Sequence, residues 1–421
     1  MAKRTCSFCG GEKRPRDLFK ANDGSYICKD CVKTLGVKVS ELEVTSFKKD
    51  KEVKTPKEIK AALDEYIIKQ DRAKKGLAVM MYDRSKTAVN EQIKKRNVLL
   101  LGPTGSAKTF SVETLAKVYN VPIAINTACE FTSAGYVGKD INECFLPALD
   151  ACNWDVEKVE RALIFFDEVD KIGRKSGKEV SRVNDVNGEG VQRALLKLME
   201  GGKVDVCEKT GNRRHVTLDT SKMVFVFAGA FEGIEKTIEK RLKGKNVVGF
   251  GGRTIENSNE TEVDKYNRFI NQATVDDLAE FGLMKEFIGR IHHVIPLEKL
   301  DEKDLVRILT EPKENLVDQY KLSFSMDNIE LSFEDEAYTA IAKEAIKRDT
   351  GARALSSIME ELLLDYKFEM PGDLSVKELI ITEEYVKTFF SKEQTVPAKI
   401  VRRTEEEIEA LTSDDGETIE L

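Results

Sequence analysis

The sequence predicts an α/β protein: a parallel sheet flanked by helices, with a small metal-stapled unit before it and a smaller, mostly helical unit after it. Three observations carry this expectation. Between about 61 and 295, short wholly apolar runs alternate with amphipathic stretches, the pattern of buried parallel strands joined by helices. From about 296 to 391 the helical period dominates. The first 43 residues hold two Cys-x-x-Cys pairs and little apolar content.

A length of 421 residues suggests two to three domains. An apolar content of 41% supplies at least one large core and excludes a wholly disordered chain. The net charge of −7, with both signs mixed along the chain, speaks against a general nucleic-acid binder, which would carry a basic excess. There is no run of 18 apolar residues to span a membrane. The opening Met-Ala-Lys-Arg-Thr-Cys lacks an apolar signal core, so a cytoplasmic protein is expected. Eight cysteines in such a chain point to metal or buried thiols rather than disulfides.

In chain order, residues 1–43 form the first unit, where Cys6-x-x-Cys9 and Cys28-x-x-Cys31 are separated by eighteen residues. Zn²⁺ takes four soft ligands in a tetrahedron, and two such knuckles supply them from opposite sides of a small fold. A unit of about forty residues buries too little surface to fold alone, so a metal staple is expected; incidental cysteines or a redox pair are the alternatives. Cys129, Cys144, Cys152 and Cys207 have no ligand spacing and read as small buried or surface residues. Residues 44–60 are lysine-rich and polar and read as a linker. Strands are expected at Asn97–Leu101, Leu163–Phe166 and Met223–Phe227 within a unit spanning 61–295. Helices are expected at Asp304–Leu316, Asp335–Lys347 and Ala352–Glu369 within a unit spanning 296–391. Residues 392–421 end in a stretch without lysine or arginine and read as an acidic, solvated tail.

The strand Asn97–Leu101 runs straight into Gly102-Pro103-Thr104-Gly105-Ser106-Ala107-Lys108-Thr109. Strand, turn and helix in this order make a phosphate-binding loop, whose backbone N–H groups and helix N-terminus face an anion. Lys108 would reach the β- and γ-phosphates, and Thr109 would hold Mg²⁺ through its hydroxyl. Ala107 stands where the general pattern has its second glycine. If its φ is negative the extra methyl is harmless; if φ is positive, strain of about 1–2 kcal/mol is expected. The apolar strand Leu163–Phe166 ends in Asp167-Glu168, two carboxylates at the same carboxyl edge of a parallel sheet. Asp167 would coordinate Mg²⁺, and Glu168 would orient and polarise an attacking water.

With these motifs in place the chain, from Cys6 to about Phe390, resembles the ClpX family of AAA+ protein unfoldases. The resemblance implies an AAA+ P-loop domain, a small helical domain and an N-terminal zinc domain that in the family binds substrates and adaptors. It implies ATP as the nucleotide, with Mg²⁺ and Zn²⁺ as the metals. Leu63–Gln70 is similar to the family's adenine-pocket segment, which assigns Tyr66, Ile67 and Ile68 to the base; Lys69 stands where the family usually has glycine. Gly135-Tyr136-Val137-Gly138 matches the first pore loop, where Tyr136 and Val137 would grip an extended chain. Arg213, Arg214 and His215 lie where the family has a basic loop at the pore entrance. The second pore loop, near Arg182–Asn187, carries Asn184 where the family usually has arginine.

Glu286–Arg290 resembles the arginine-finger segment, which makes Arg290 a group supplied to a neighbouring subunit and implies a homo-hexameric ring. Gly351-Ala352-Arg353 resembles the sensor-2 motif, which assigns Arg353 to the nucleotide. The strand at Met223–Phe227 is followed by Ala-Gly-Ala, so no sensor-1 residue is assigned. Val248-Gly249-Phe250 occupies the place of the family's Ile-Gly-Phe peptidase-docking tripeptide, implying a ClpP-type peptidase partner. The expected function is ATP-dependent unfolding and translocation of tagged proteins for that peptidase. The alternatives are a remodelling ATPase of the same family that is not coupled to a peptidase, an AAA+ nucleic-acid motor, and a zinc-bearing scaffold with a dead nucleotide site.

Overall fold

The computed structural model of the protein describes residues 4–20, 24–35, 38, 53–90, 92–132, 138–173, 182–208, 214–245, 261–391 and 394–413. At the N-terminus, β1 (Arg4–Thr5) pairs antiparallel with β2 (Glu12–Lys13), and β3 (Leu18–Lys20) with β4 (Tyr26–Cys28). Among the described residues the buried cluster here is Cys6, Cys28 and Cys31, backed by Leu18 and Ile27, too little apolar mass to hold a fold by itself.

Helix α1 (Pro56–Asp64) starts inside the stretch expected to be a linker. The reason is local: Pro56 suits a first helical position, and Thr55 and Glu58 form a reciprocal capping box, with Thr55 N–H donating to Glu58 Oε2 at 2.7 Å. Helix α2 (Asp71–Val89) follows after a turn at Tyr66–Gln70. The central sheet takes β5 (Asn97–Leu101), β6 (Ile123–Thr127), β7 (Leu163–Asp167), β10 (Val224–Gly229) and β11 (Ile291–Pro296) in the spatial order β11-β5-β10-β7-β6, all parallel. Alternate residues of each strand feed opposite faces. Leu99, Leu101, Ile164, Phe166, Phe225 and Phe227 pack into one core, and Val98, Leu100, Leu163, Phe165, Val224 and Val226 into the other. Burial on both faces is why these strands read as unbroken apolar runs. Phe227 is stacked 5.8 Å from Phe166 and meets Phe287 edge-on at 5.1 Å, which sets the sheet against the elements beneath it.

Around the sheet lie α3 (Lys108–Tyr119), α4 (Arg182–Glu200) and α5 (Ile234–Lys245). A separate hairpin is formed by β8 (Lys203–Cys207) and β9 (His215–Asp219).

The C-terminal unit has its own core around Leu305, Ile341, Ile358, Leu362 and Leu379. The single helix expected over Asp304–Leu316 is two helices, α6 (Glu302–Thr310) and α7 (Leu316–Ser325). Pro312 disfavours helix at the residue before it, and Asn315 caps the next helix by accepting the Asp318 N–H at 2.8 Å. Helices α8 (Asp335–Lys347) and α9 (Arg353–Glu369) fall where the apolar period places them. A three-stranded sheet adds β12 (Glu330–Phe333), β13 (Val376–Ile381) and β14 (Lys399–Arg402). Strand β14 lies within the segment expected to be a solvated tail. It pairs antiparallel with β13 because Lys-Ile-Val-Arg is a short β-prone run, and Ala398 N–H donates to Tyr366 Oη at 2.8 Å. Acidic residues gather after it, from Glu405 onward. Among the described residues no helix is long and apolar enough to cross a membrane.

Candidate functional site

Most of the residues expected to bind nucleotide gather at the carboxyl edge of the parallel sheet. Gly102–Ala107 leave β5 and turn into α3, whose first residue is Lys108. Two glycines are required by close approach. A Cβ on Gly102 would lie 2.8 Å from Leu297 O, and one on Gly105, at φ +75°, only 2.2 Å from Thr350 O. The loop is thereby pressed against the turn that precedes Arg353. Ala107 is in the left-handed region, φ 70° and ψ 30°, so the second of the two cases set out for it applies. Its carbonyl is held by the Ser111 N–H at 2.9 Å and the Ser111 hydroxyl at 2.6 Å.

Lys108 is buried and donates to the carbonyls of Gly102 at 2.7 Å and Pro103 at 2.8 Å. Burial lowers its pKa, the Arg353 charge adds to this, and Asp167 and Asp170 oppose it. A cation matched mainly by carbonyl dipoles and facing a cleft is suited to polyphosphate oxygens. Thr109 Oγ1 donates to Asp167 Oδ2 at 2.8 Å, and Asp167 Oδ1 accepts the Glu168 N–H at 2.9 Å. The hydroxyl and the carboxylate that would share a divalent cation are thus already adjacent. Glu168 follows β7 with φ 56°, a left-handed turn that projects its exposed side chain at the sheet edge; its Oε2 accepts from Cys129 Sγ at 3.5 Å. Strained backbone at such a position is typical of functional sites.

One cleft of about 490 Å³ collects Tyr66, Ile67 and Ile68, the loop Thr104–Thr109, Asp167, Glu168 and Arg353. That is the size of a small-ligand site. Tyr66–Ile68 supply an apolar wall at one end, with Leu300 and Ile308 from the C-terminal unit beside them. Arg353, at the start of α9, faces the phosphate loop from across the unit boundary. Sequence reasoning missed Asp170, which also lines the cleft and is half-buried, its carboxyl pushed up by desolvation. Asp170 is the last acid of the Asp-Glu-Val-Asp run, a signal that was legible beside Asp167. Phe110, Glu113, Lys171, Glu232 and Ser356 also line it, and nothing in local sequence marks them.

Arg290 is not in this cleft. It precedes β11, whose first residue lies level with Asn97 and whose last lies level with Leu101, so Arg290 sits at the amino edge of the sheet. Six residues of strand separate the two edges by about 20 Å. Its Nε donates to Glu200 Oε1 at 3.1 Å, and the side chain remains half-exposed. Arg214 lies over the Trp154 ring at 5.3 Å, and His215 opens β9 on the exposed side. Tyr136, Val137, Arg213, Val248, Gly249 and Phe250 lie outside the described residues, as do the side chains of Arg182–Asn187. The neck of the 133–137 segment is closed by backbone bonds, Thr132 N–H to Lys139 O at 3.1 Å and Lys139 N–H to Glu130 O at 3.2 Å.

In the N-terminal unit the four sulfur atoms of Cys6, Cys9, Cys28 and Cys31 lie within 4.8 Å of one another. The closer pairs, Cys6–Cys31 and Cys9–Cys28, are each 3.9 Å apart. A tetrahedron with metal–sulfur bonds of about 2.3 Å has edges of about 3.8 Å, so the set fits one Zn²⁺ and is far too wide for disulfides. Backbone N–H groups, that of Cys9 first and also that of Cys28, draw the Cys6 thiol down to about 6, while burial and the neighbouring sulfurs push the Cys31 thiol up. Cys144 is buried in the main core, and Cys152 is half-buried.

Residues 93–294 match the family model for the AAA domain (Cdc48 subfamily), and residues 300–379 match the C-terminal, D2-small domain, of ClpB protein. A relative from Treponema denticola, named ATP-dependent Clp protease ATP-binding subunit ClpX, is 41% identical over 405 residues, covering 92% of this chain and 95% of its own. Relatives of the same name from Borrelia duttonii and Borrelia recurrentis are each 40% identical over 397 residues, 90% of both chains.

Proposed function

The chain belongs to the ClpX family of AAA+ ATPases, and on that premise we propose that it is an ATP-dependent unfoldase and translocase working as a homo-hexamer. The observation that carries this reading is the split of the site across two edges. The phosphate loop, Asp167, Glu168 and Arg353 line one cleft, while Arg290 lies at the opposite edge of the sheet, paired with Glu200. A cationic finger so placed can serve only a neighbour's cleft, and a closed ring gives every cleft its finger.

Within the cleft, Tyr66, Ile67 and Ile68 enclose the base of ATP. The backbone N–H groups of Thr104–Ala107 and the Lys108 ammonium bind its phosphates. Thr109 and Asp167 would hold Mg²⁺, which would supply positive charge to offset that of the phosphates. Glu168 orients the attacking water and draws its proton. Arg290 of the adjoining subunit stabilises charge on the transferred phosphoryl group. Arg353 reads the nucleotide from the C-terminal unit and converts its hydrolysis into hinge motion. Tyr136 and Val137 grip the substrate chain in the axial channel, and Arg213, Arg214 and His215 attract its carboxylate end. Val248, Gly249 and Phe250 dock on a ClpP-type peptidase. Cys6, Cys9, Cys28 and Cys31 hold one Zn²⁺ that staples the N-terminal unit, which receives tagged substrates and adaptors.

The test is ATP-dependent loss of fluorescence from a tagged reporter protein, with and without a barrel peptidase. Loss in both arms, with peptide release only when peptidase is present, supports the whole reading. Loss without coupled release assigns a remodelling ATPase instead. ATP hydrolysis with no loss of fluorescence overturns the unfoldase.

A further inference from the structure

The turn that carries Tyr66–Ile68 is fastened to the C-terminal unit at both ends. On one flank, Lys313 N–H donates to Glu65 O at 2.8 Å, and Lys313 Nζ pairs with Glu65 Oε2 at 2.7 Å. On the other, Gln70 is 2% exposed and exchanges two bonds with the Glu298 backbone: Nε2 donates to Glu298 O and Oε1 accepts Glu298 N–H, both at 2.8 Å. Between them stands Lys69. Its Nζ donates to Asp304 Oδ2 at 2.5 Å and to Lys299 O at 3.4 Å. Lys69 and Gln70 are consecutive left-handed residues, φ 58° and 52°, a backbone that side-chain-bearing residues hold only when their surroundings enforce it.

Asp304 is the third residue of α6 and is tied into that helix's start: its N–H donates to Asp301 Oδ1 at 2.8 Å, and its Oδ2 accepts the Asp301 N–H at 3.0 Å. The same helix sends Ile308 into the cleft, and Leu300 lies just before it. The side chains of Lys69 and Asp304 are only 22% and 11% exposed. The pair is therefore not one of the solvent-screened surface bridges that contribute little.

We propose that Lys69 is a positioning residue for the nucleotide: its ion pair with Asp304 holds the Tyr66–Ile68 wall against α6, so the cleft grips its ligand only while the two are joined. This rests on reading the cleft as the nucleotide site. Lys69 does not touch the ligand; it fixes the angle between two walls that do. Opening the pair frees α6 to swing and lets the base leave.

The experiment measures dissociation of a fluorescent ADP, and kcat and KM for ATP, on the full-length protein and on Lys69→Met, Asp304→Asn, their double variant and Lys69→Arg. Each single neutral variant is expected to speed dissociation and raise KM about tenfold, the loss of one charge-assisted hydrogen bond, while kcat moves less. The double variant is expected to be no worse than the worse single, and Lys69→Arg to stay within about twofold of the unaltered protein. Should Lys69→Met fold poorly, Lys69→Gly removes the charge and suits the positive φ. Unchanged dissociation in the single variants, or additive effects in the double, overturns the latch. An unaltered protein that binds no nucleotide overturns the reading of the cleft instead.

Discussion

Replacing Ala107 by glycine isolates the one departure inside the phosphate loop. Ala107 has φ 70° and ψ 30°, where a Cβ costs about 1–2 kcal/mol. Glycine removes that strain but gives the unfolded chain more freedom, which costs about 0.4–1 kcal/mol. The net gain in folded stability is about 0.5–1 kcal/mol. What fixes the conformation lies within the chain: the Ser111 N–H and hydroxyl both hold Ala107 O, and Ala352 N–H meets Gly105 O at 3.4 Å. The strain therefore belongs to the fold and is spent before any ligand arrives. Ala107→Gly should raise the thermal midpoint by about 1–4 °C, given about 2–4 °C per kcal/mol for a unit of this size. ATP affinity should change by less than about fivefold. Thermal unfolding without nucleotide and a nucleotide titration on both proteins decide it. If the loop took up the strained conformation only on binding, the midpoint would not move and affinity would rise by roughly five- to thirty-fold. That result would refute the argument from Ser111. Binding seen only in the glycine variant would go further and overturn the assignment as an ATPase.

Glu168→Gln should bind ATP normally and lose at least about a hundredfold in hydrolysis, and near-normal turnover would remove Glu168 from the water-activating role. Arg290→Ala should be inactive alone but regain some hydrolysis when mixed with Glu168→Gln subunits; failure of every mixture to recover would argue against a finger acting in trans. Metal analysis of the full-length protein should find about one Zn²⁺ per chain, lost in Cys28→Ser with ATP hydrolysis retained, and a metal-free chain with a folded N-terminal unit would contradict the staple. Lys95 Nζ is buried against Thr220 O at 2.6 Å and the Phe225 ring at 4.8 Å, and burial lowers its pKa from 10.5 to about 8. Between those values the unfolded chain binds the extra proton, so stability should rise with pH across that window. The stability of the unaltered protein relative to Lys95→Met, measured by urea unfolding, should grow from pH 8 toward 10.5, and a constant or shrinking difference would count against a neutral, buried Lys95.

Chemistry that depends on residues close in sequence is legible in the sequence alone. The strand–loop–helix order brings Lys108 and Thr109 together, the apolar strand delivers Asp167 and Glu168 to a sheet edge, and Cys-x-x-Cys spacing gathers two ligands at a time. These signals are periodic or contiguous, so the backbone geometry of one strand or one turn fixes the outcome. The helix break at Pro312 and the strand at Lys399–Arg402 were missed because a short cap signal and a four-residue β run are outweighed by the helical and acidic patterns around them. What the tertiary structure alone decided involves residues far apart in the chain. The sign of φ at Ala107 follows from how the loop meets α3 and the turn at Thr350–Ala352. The separation of Arg290 from its own cleft follows from the parallel register of β11 on β5. Lys69 and Asp304 are 235 positions apart, and neither segment points to the other. Sequence periodicity carries no record of such meetings, because they depend on the stacking order of whole elements rather than on the pattern within one.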